Sequence, residues 1–275
     1  MTKKIIILAA LLFTSQTVLA SAIIGSVSTA TGGTGRGAIE PIDGVLLNPA
    51  SVSKIKTQFF AFNYSNEQMA VTISDNGKDA LFPAALAFVR TDINNLKTQD
   101  MALVLATSIL PQLSLGSTIS LVEYSTSINA AEKKYRQTVA DIGASFTVAK
   151  NISLGIVGYK VFASTAELEK SLQKQQLFAI GGSYTFDNFV RFRFDVESAP
   201  ENKVDRLTYM AGLETYMNEW MIVRLGYQNN NVVSKNFTTA GVGFSGPQFG
   251  LHYGYLTNVL NRDEDRHTVD LGVPF

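Results

Sequence analysis

The sequence ends with DRHTVDLGVPF (residues 265–275), in which apolar side chains alternate with polar or small ones up to a final aromatic residue. Successive side chains of a β-strand point to opposite faces, so this period of two places Val269, Leu271, Val273 and Phe275 on one face. Asp270 lies on the other face. The last segment is therefore predicted to be a strand with one apolar and one polar face.

The same alternation recurs backwards along the chain as far as Ser53. Phe60, Phe62 and Tyr64, for example, alternate with smaller or polar neighbours. We count 14 such segments, although 12 strands would also fit because the first two hairpins are less regular. The predicted strands are 55–65, 67–74, 81–90, 101–109, 112–124, 134–149, 151–162, 175–186, 188–196, 205–216, 218–229, 234–244, 246–257 and 265–275. This pattern predicts an all-β fold.

The connections between these strands alternate in length along most of the chain. Tight turns are predicted near residues 110–111, 150–151, 186–188, 217–218 and 245–247, and longer loops at 91–100, 125–133, 164–174, 200–203 and 258–264. Short periplasmic turns and longer external loops are typical of transmembrane barrels. A soluble β-sandwich has no reason to sort its turns in this way. We therefore predict a transmembrane antiparallel up-and-down β-barrel over 55–275, with both ends on the periplasmic side.

The N-terminal segment has the features of an export signal. Lys3 and Lys4 precede an apolar run at 5–13 and a small-residue cleavage site. Residues 1–20 are predicted to be a signal peptide, with cleavage after residue 20 or 22. The run is too short to span a bilayer as a helix. Together with a barrel, it predicts the outer membrane of a Gram-negative bacterium, with outer-membrane lipid around the protein.

The composition excludes several classes of function. The chain has no cysteine, so neither disulfides nor thiolate metal sites are available. Its 23 basic and 23 acidic residues cancel, which leaves no electrostatic footprint for nucleic acid. With two histidines, no metal site and no cofactor are predicted.

Between the signal and the first strand, residues 32–53 read GGTGRGAIEPIDGVLLNPASVS. The glycines of this stretch allow a tight path, and Pro49 ends any helix before it. A short helix is expected over 40–47. Arg36 would be a buried cation that needs carboxylate partners, with Asp141, Glu214 and Asp270 as candidates.

This stretch resembles the N-terminal plug of the FadL family of outer-membrane transporters, which implies that residues 21–54 form a plug in the lumen. The matching residues are Gly35-Arg36-Gly37-Ala38, an apolar run and Asn48-Pro49-Ala50. The resemblance implies a 14-stranded barrel for passive uptake of small hydrophobic molecules, such as fatty acids or aromatic hydrocarbons, with lateral release into the membrane. The final strand is similar to the signal read by the outer-membrane assembly machinery, a second expected partner. A monomer is expected.

Pro83 is a candidate for the lateral gate, because proline cannot donate to a strand ladder and a closed barrel has no edges. The resemblance implies an inward kink of the third strand at residues 81–85. The alternative is that Pro83 simply begins the strand at the periplasmic rim.

Polar side chains at alternate positions are expected to face the lumen. Two interpretations remain open: a structural network that holds the plug, or a carboxylate ligand bound by Arg191, Arg193 or Arg224. Because the candidate lumen residues carry charges of both signs, the structural network is favoured. The lumen candidates are Asp141, Arg191, Arg193, Asp195, Glu214, Arg224, Gln248, His252 and Asp270.

Two further functions come from other classes. The plug is also similar to that of the barrel shuttle subunit of type IX secretion, which implies a structural or secretion-associated barrel that binds protein cargo. Asp265-Arg266-His267 is similar to the Asp-x-His pair of the omptin proteases. That family also needs an acidic dyad on the facing wall, and the sequence contains no comparable pair, so the protein is not expected to be an enzyme.

Overall fold

The computed structural model describes residues 25–275 except 39, 79, 94–95, 129–130, 201–206 and 263, so the predicted signal peptide lies outside the described residues. The described residues form a closed antiparallel barrel in which each strand pairs with its sequence neighbours. The predicted up-and-down barrel is confirmed, with 14 strands rather than 12. They are β1 Phe59–Ser65, β2 Gln68–Asp75, β3 Ala84–Ile93, β4 Leu96–Ser108, β5 Leu113–Ile128, β6 Ala131–Ala149, β7 Ile152–Ala163, β8 Leu177–Phe186, β9 Val190–Ser198, β10 Thr208–Tyr216, β11 Met221–Asn230, β12 Lys235–Ser245, β13 Gly250–Asn258 and β14 Asp265–Pro274.

The first and last strands close the barrel. They pair from Phe59 opposite Pro274 to Ser65 opposite Thr268. The N–H of Phe275 then donates to the carbonyl of Gln58 at 3.0 Å. We call the end of the barrel at which β1 begins and β14 ends the terminus end, and the opposite end the loop end.

The apolar faces of the strands point outward. Leu86, Phe162 and Ile180 are 62%, 62% and 60% exposed, whereas the inward-facing Thr268 and Asp270 are buried. An outward apolar band around a polar interior is typical of barrels that face lipid. The lumen and not a sheet-to-sheet interface is therefore where the polar residues meet.

Two predicted loops are wrong. β3 continues to Ile93 and β4 begins at Leu96, while β5 continues to Ile128 and β6 begins at Ala131. The extensions are mostly polar, with isolated apolar residues such as Ile93 and Leu96, and Asp92 pairs with Lys97 across the first of them at 3.7 Å. Such segments have no sustained apolar period, so the sequence pattern does not distinguish them from loops.

The described residues between 25 and 54 lie inside the barrel as a plug. It contains two short helices, α1 Ser26–Ala30 and α2 Gly44–Leu47, followed by a 3₁₀ helix at Pro49–Lys54. α1 contacts β11 to β14 and the 3₁₀ helix contacts β3 to β6, so the plug reaches opposite walls. The predicted helix over 40–47 is too long, because residues 41–43 form a turn.

No helix within the described ranges is long and apolar enough to cross a bilayer.

Candidate functional site

The plug lies on a seat of lumen-facing glycines contributed by β5 to β8 and β10 to β13. At Gly155, an added Cβ would come within 1.9 Å of the Arg36 carbonyl oxygen. At Gly254 it would come within 2.4 Å of the Ser26 carbonyl oxygen. The backbone of the plug therefore packs directly on the backbone of the wall. The seat comprises Gly116, Gly143, Gly155, Gly181, Gly212, Gly226, Gly241 and Gly254.

Arg36 is buried and pairs with carboxylates of β9. Its Nη2 lies 2.6 Å from Glu197 Oε2, and its Nη1 lies 3.5 Å from Asp195 Oδ2. The backbone N–H groups of Gly35 and Arg36 each donate to Asp195 at 2.9 Å, and Arg36 Nε donates to the Tyr159 hydroxyl at 3.3 Å. Burial lowers the pKa of Arg36, but the neighbouring Tyr159, Glu197 and Asp195 outweigh burial and raise it above its ordinary value. Arg36 therefore remains charged.

The three partners predicted for Arg36 were wrong, because each has another role. Asp141 accepts the backbone N–H of Lys160 at 2.7 Å, and Asp270 accepts that of Ser26 at 2.6 Å. Glu214 belongs to a separate arginine cluster. All three do face the lumen. The alternation of side chains along a strand therefore predicted the correct face, but it does not determine the height at which each side chain meets the plug.

The second network lies nearer the terminus end and joins three wall arginines to two carboxylates. Glu214 Oε1 accepts Arg193 Nε at 2.7 Å, and its Oε2 accepts Arg224 Nε at 2.8 Å. Glu40 of the plug accepts Arg193 Nη2 at 2.7 Å and also pairs with Arg191. His252 continues the network through Arg224. These ion pairs agree with the interpretation in which the arginines belong to a structural network that holds the plug.

His252 lies 3.0 Å by Nδ1 from Arg224 Nη1 and 3.3 Å by Nε2 from the Ser245 hydroxyl. Gln248, in contrast, was wrongly placed in the lumen. It lies in the turn between β12 and β13 and is exposed, because β13 begins only at Gly250.

Asp43 holds α1 in place from within the plug. Its Oδ2 accepts the N–H of Ser28 at 2.7 Å. Burial, together with the nearby Asp270 and Glu40 carboxylates, raises the pKa of Asp43 to about 7. The strength of this contact is therefore expected to depend on pH.

Asn48, Pro49 and Ala50 connect the two halves of the plug. Asn48 Nδ2 donates to the carbonyl oxygens of Arg36 at 2.8 Å and Ala144 at 3.1 Å, and its Oδ1 accepts the N–H of Ala50 at 3.0 Å. One side chain thus ties the arginine loop, the wall and the 3₁₀ helix together. The geometry gives a physical reason for the Asn-Pro-Ala order.

A cavity of about 180 Å³ lies on the loop-end side of the plug. Val45 and Leu46 of α2 form part of its lining, and the walls come from β2 to β8. Its apolar lining is Val45, Leu46, Val89, Ile93, Leu96, Ala102, Val139, Leu172 and Leu177, with Tyr124 and Tyr159 adding aromatic rings. Polar groups include Asp100, Asp141, Lys160, Gln173 and Lys174. The cavity therefore combines apolar surfaces with many polar and charged side chains.

The segment between β7 and β8, residues 164–176, folds over this cavity. Leu168 packs on Leu96, Val122 and Val139. Lys174 forms an ion pair with Asp100, and its N–H donates to the Tyr124 hydroxyl at 3.2 Å. This connection was predicted as an external loop, and its inward apolar packing was missed.

The cavity wall contains a bulge between β6 and β7. Ala140 pairs with Phe162 and Ile142 pairs with Gly158, so three residues of β7 lie opposite Asp141 alone. Lys160 in this bulge has φ of 52°, and its N–H donates to the Asp141 carboxylate at 2.7 Å. A side chain therefore completes the wall at this point.

Pro83 lies directly before β3, at the terminus end. Its carbonyl accepts the N–H of Ala106 at 3.0 Å, and the ladders from β3 to both neighbours begin at Ala84. Pro83 does not line the cavity. Its position is that of a residue that begins a strand at the rim.

The candidate protease residues lie on the outer face of the barrel. His267 Nε2 is 3.3 Å from Asp265 Oδ2, and its Nδ1 lies 2.7 Å from the Tyr253 hydroxyl. His267 points outward, so the pair does not face another wall across a cleft. Within the described ranges, no group of three acidic or histidine side chains is arranged to hold a metal.

Several site residues were missed by the sequence reasoning. Glu197 is one residue beyond the predicted end of the ninth strand, and Tyr159, although inside the predicted seventh strand, was not among the candidate residues. Glu40 was assigned to a helix and not to the arginine cluster. Arg191, Arg193 and Asp195 occupy alternate positions of one strand face, and Glu197 is the next position on that face, so the same alternation would have placed it in the lumen.

Neither a protein-family model nor a curated protein matches the sequence. Solved structures do match the fold. They include the toluene transporter TbuX of Ralstonia pickettii (TM-score 0.70, 12% identity, 92% of this chain and 98% of that chain). The CymD monoaromatic hydrocarbon channel also matches, with a TM-score of 0.68 and 12% identity over 92% of this chain and 97% of that chain. A Pseudomonas aeruginosa FadL homologue matches with a TM-score of 0.63 and 9% identity over 91% of this chain and 98% of that chain. The fold is that of FadL-type barrels.

Proposed function

We propose that the protein is an outer-membrane channel for passive uptake of small hydrophobic molecules, with the cavity above α2 as the binding site. The observation that carries the proposal is an apolar-floored cavity of about 180 Å³ between the loop end and a plug that fills the lumen. Apolar cavities of about 150 Å³ hold a benzene ring. The volume therefore suits a single aromatic ring or a short aliphatic chain.

The likeness to channels for toluene and other monoaromatic hydrocarbons supports the same substrate class. A protein cargo, the secretion alternative, would need a wider path than the glycine seat and the paired plug leave. The burial of Arg36, 1% exposed, argues that the plug is built to stay.

We place the exit at the β6–β7 bulge and not at Pro83. Transfer of an apolar molecule from a polar lumen to lipid is favourable by roughly 25 cal/mol per Å², so lateral release is energetically preferred to passage through the plug. Asp141 and Lys160 line both the cavity and the bulge, whereas Pro83 touches neither. The contact between Asp141 and Lys160 lies where the register between β6 and β7 is interrupted.

A reversible cross-link tests this exit. Ala140→Cys with Phe162→Cys places two cysteines opposite each other on the lipid face beside the bulge, in a chain that has no cysteine of its own. Oxidation should slow uptake of labelled toluene by cells that express the protein, and reduction should restore it.

The matched control joins Leu121→Cys and Thr138→Cys, a pair on the lipid face of β5 and β6. That cross-link should leave uptake unchanged. If both cross-links have the same effect, the bulge is not the exit. If oxidation affects neither variant, release does not occur through this part of the wall.

A further inference from the structure

Glu40 places a plug carboxylate on two wall arginines. Its Oε1 accepts Arg193 Nη2 at 2.7 Å and also contacts Arg191 Nη1. Arg191 and Arg193 are two residues apart on one strand, so both guanidinium groups reach the same face. Glu40 thus occupies the position that a carboxylate ligand of these arginines would take.

The cluster has more donors than its own carboxylates use. Arg191, Arg193 and Arg224 carry three positive charges, whereas the carboxylates in contact with them are Glu40 and Glu214. The side chain of Arg193 is 1% exposed, and its Nη1 is buried without a hydrogen-bond partner among the described residues. A buried guanidinium N–H without an acceptor is costly, so the site favours a further acceptor atom.

This part of the network is also reachable. The side chains of Arg191 and Glu40 are 22% and 18% exposed, whereas Glu214 is fully buried. Arg191 is the second residue of β9, close to the terminus end. The Tyr216 ring lies 5.7 Å from the Arg191 guanidinium carbon and offers an aromatic surface beside the charge.

We propose that Arg191 and Arg193 form a carboxylate-binding site that Glu40 fills in the resting protein, and that a small aromatic or apolar monocarboxylate entering from the terminus end displaces Glu40 and loosens the plug. Glu214 keeps Arg224 and part of Arg193 neutralised during the exchange, because it holds both independently of Glu40. The inference does not depend on which molecule passes through the barrel.

Calorimetric titration of benzoate into the purified full-length protein tests the site. Glu40→Gln should bind benzoate at least roughly tenfold more tightly than the wild type, because a tethered carboxylate competes at high effective concentration. Glu40→Gln with Arg191→Gln should lose this gain. Benzamide, which has the same ring without the charge, should bind neither protein.

The matched control is Glu264→Gln, which removes a carboxylate paired with Lys235 outside the lumen. It should bind benzoate as the wild type does. Equal affinity in Glu40→Gln and the wild type, or a gain that survives Arg191→Gln, would overturn the assignment.

Displacement of Glu40 is measured separately in the otherwise wild-type protein. Ala38→Cys introduces a single thiol at a plug position that is 4% exposed. Benzoate should raise the rate of maleimide labelling several-fold, and benzamide should not. Unchanged labelling at saturating benzoate would refute the displacement, and this readout needs no variant of the arginine cluster.

Discussion

Replacing Arg36 with methionine should destabilise the protein more than any change to a surface ion pair. The substitution leaves the buried Glu197 without its cation and removes one partner of Asp195, whose side chain is 1% exposed. Loss of one partner of a buried ion pair costs about 3–5 kcal/mol. At about 2–4 °C per kcal/mol for a chain of this size, the unfolding midpoint should fall by roughly 6–20 °C.

The assay is thermal unfolding in detergent, followed by the loss of the compact, faster-migrating form on a gel. Lys97→Met is the matched control, because the Lys97–Asp92 pair is about half-exposed and should contribute less than about 1 kcal/mol. Adding Glu197→Gln to Arg36→Met should recover part of the loss by removing the unpaired charge. Equal midpoints for Arg36→Met and Lys97→Met would refute the account of the plug.

Three further changes test the seat, the pH response and assembly. Gly155→Ala should loosen the plug, because its Cβ would lie 1.9 Å from the Arg36 carbonyl oxygen. Gly182→Ala should be tolerated, because the nearest contact of its Cβ would be at 3.3 Å. Hydrogen exchange of the plug amides should therefore be faster in Gly155→Ala than in Gly182→Ala. The unfolding midpoint should decline from pH 4 to pH 7 because the folded protein holds a proton on Asp43, whose pKa is about 7 against an ordinary 3.8, and Asp43→Asn should flatten this decline. Deleting Phe275 removes the N–H that closes the β1–β14 seam and should lower the amount of folded protein in outer-membrane fractions; an unchanged amount would mean that the final residue is not needed for assembly.

The barrel could be predicted because outward faces in contact with lipid must be apolar at every second position. That requirement is local, so Val269, Leu271 and Val273 are enough to define a strand and its face. The strand extensions that begin at Thr91 and Ser125 escaped prediction because they are mostly polar and have no sustained apolar period.

The plug partners are harder to predict, since they depend on heights in the barrel and not on parity alone. Asp195 and Asp141 both face the lumen, yet only Asp195 lies level with Arg36. The backbone path of the plug determines that height, and the glycine seat determines the path. Such contacts between segments far apart in sequence leave no periodic signal.

The proposed path of small hydrophobic molecules leads through the cavity above α2. Ala102 lines this cavity from the lumen face of β4, and its neighbour Leu103 points outward, 42% exposed. Ala102→Phe adds an aromatic ring to a space of about 180 Å³, whereas Leu103→Phe adds one on the lipid side. The decisive measurement is the initial rate of labelled toluene uptake by cells that express equal amounts of wild type or either variant. We expect the uptake rate with Leu103→Phe to match the wild type, and the rate with Ala102→Phe to fall to that of cells without the protein. Wild-type uptake no faster than that background, or an Ala102→Phe rate equal to the wild type, would contradict the proposed path.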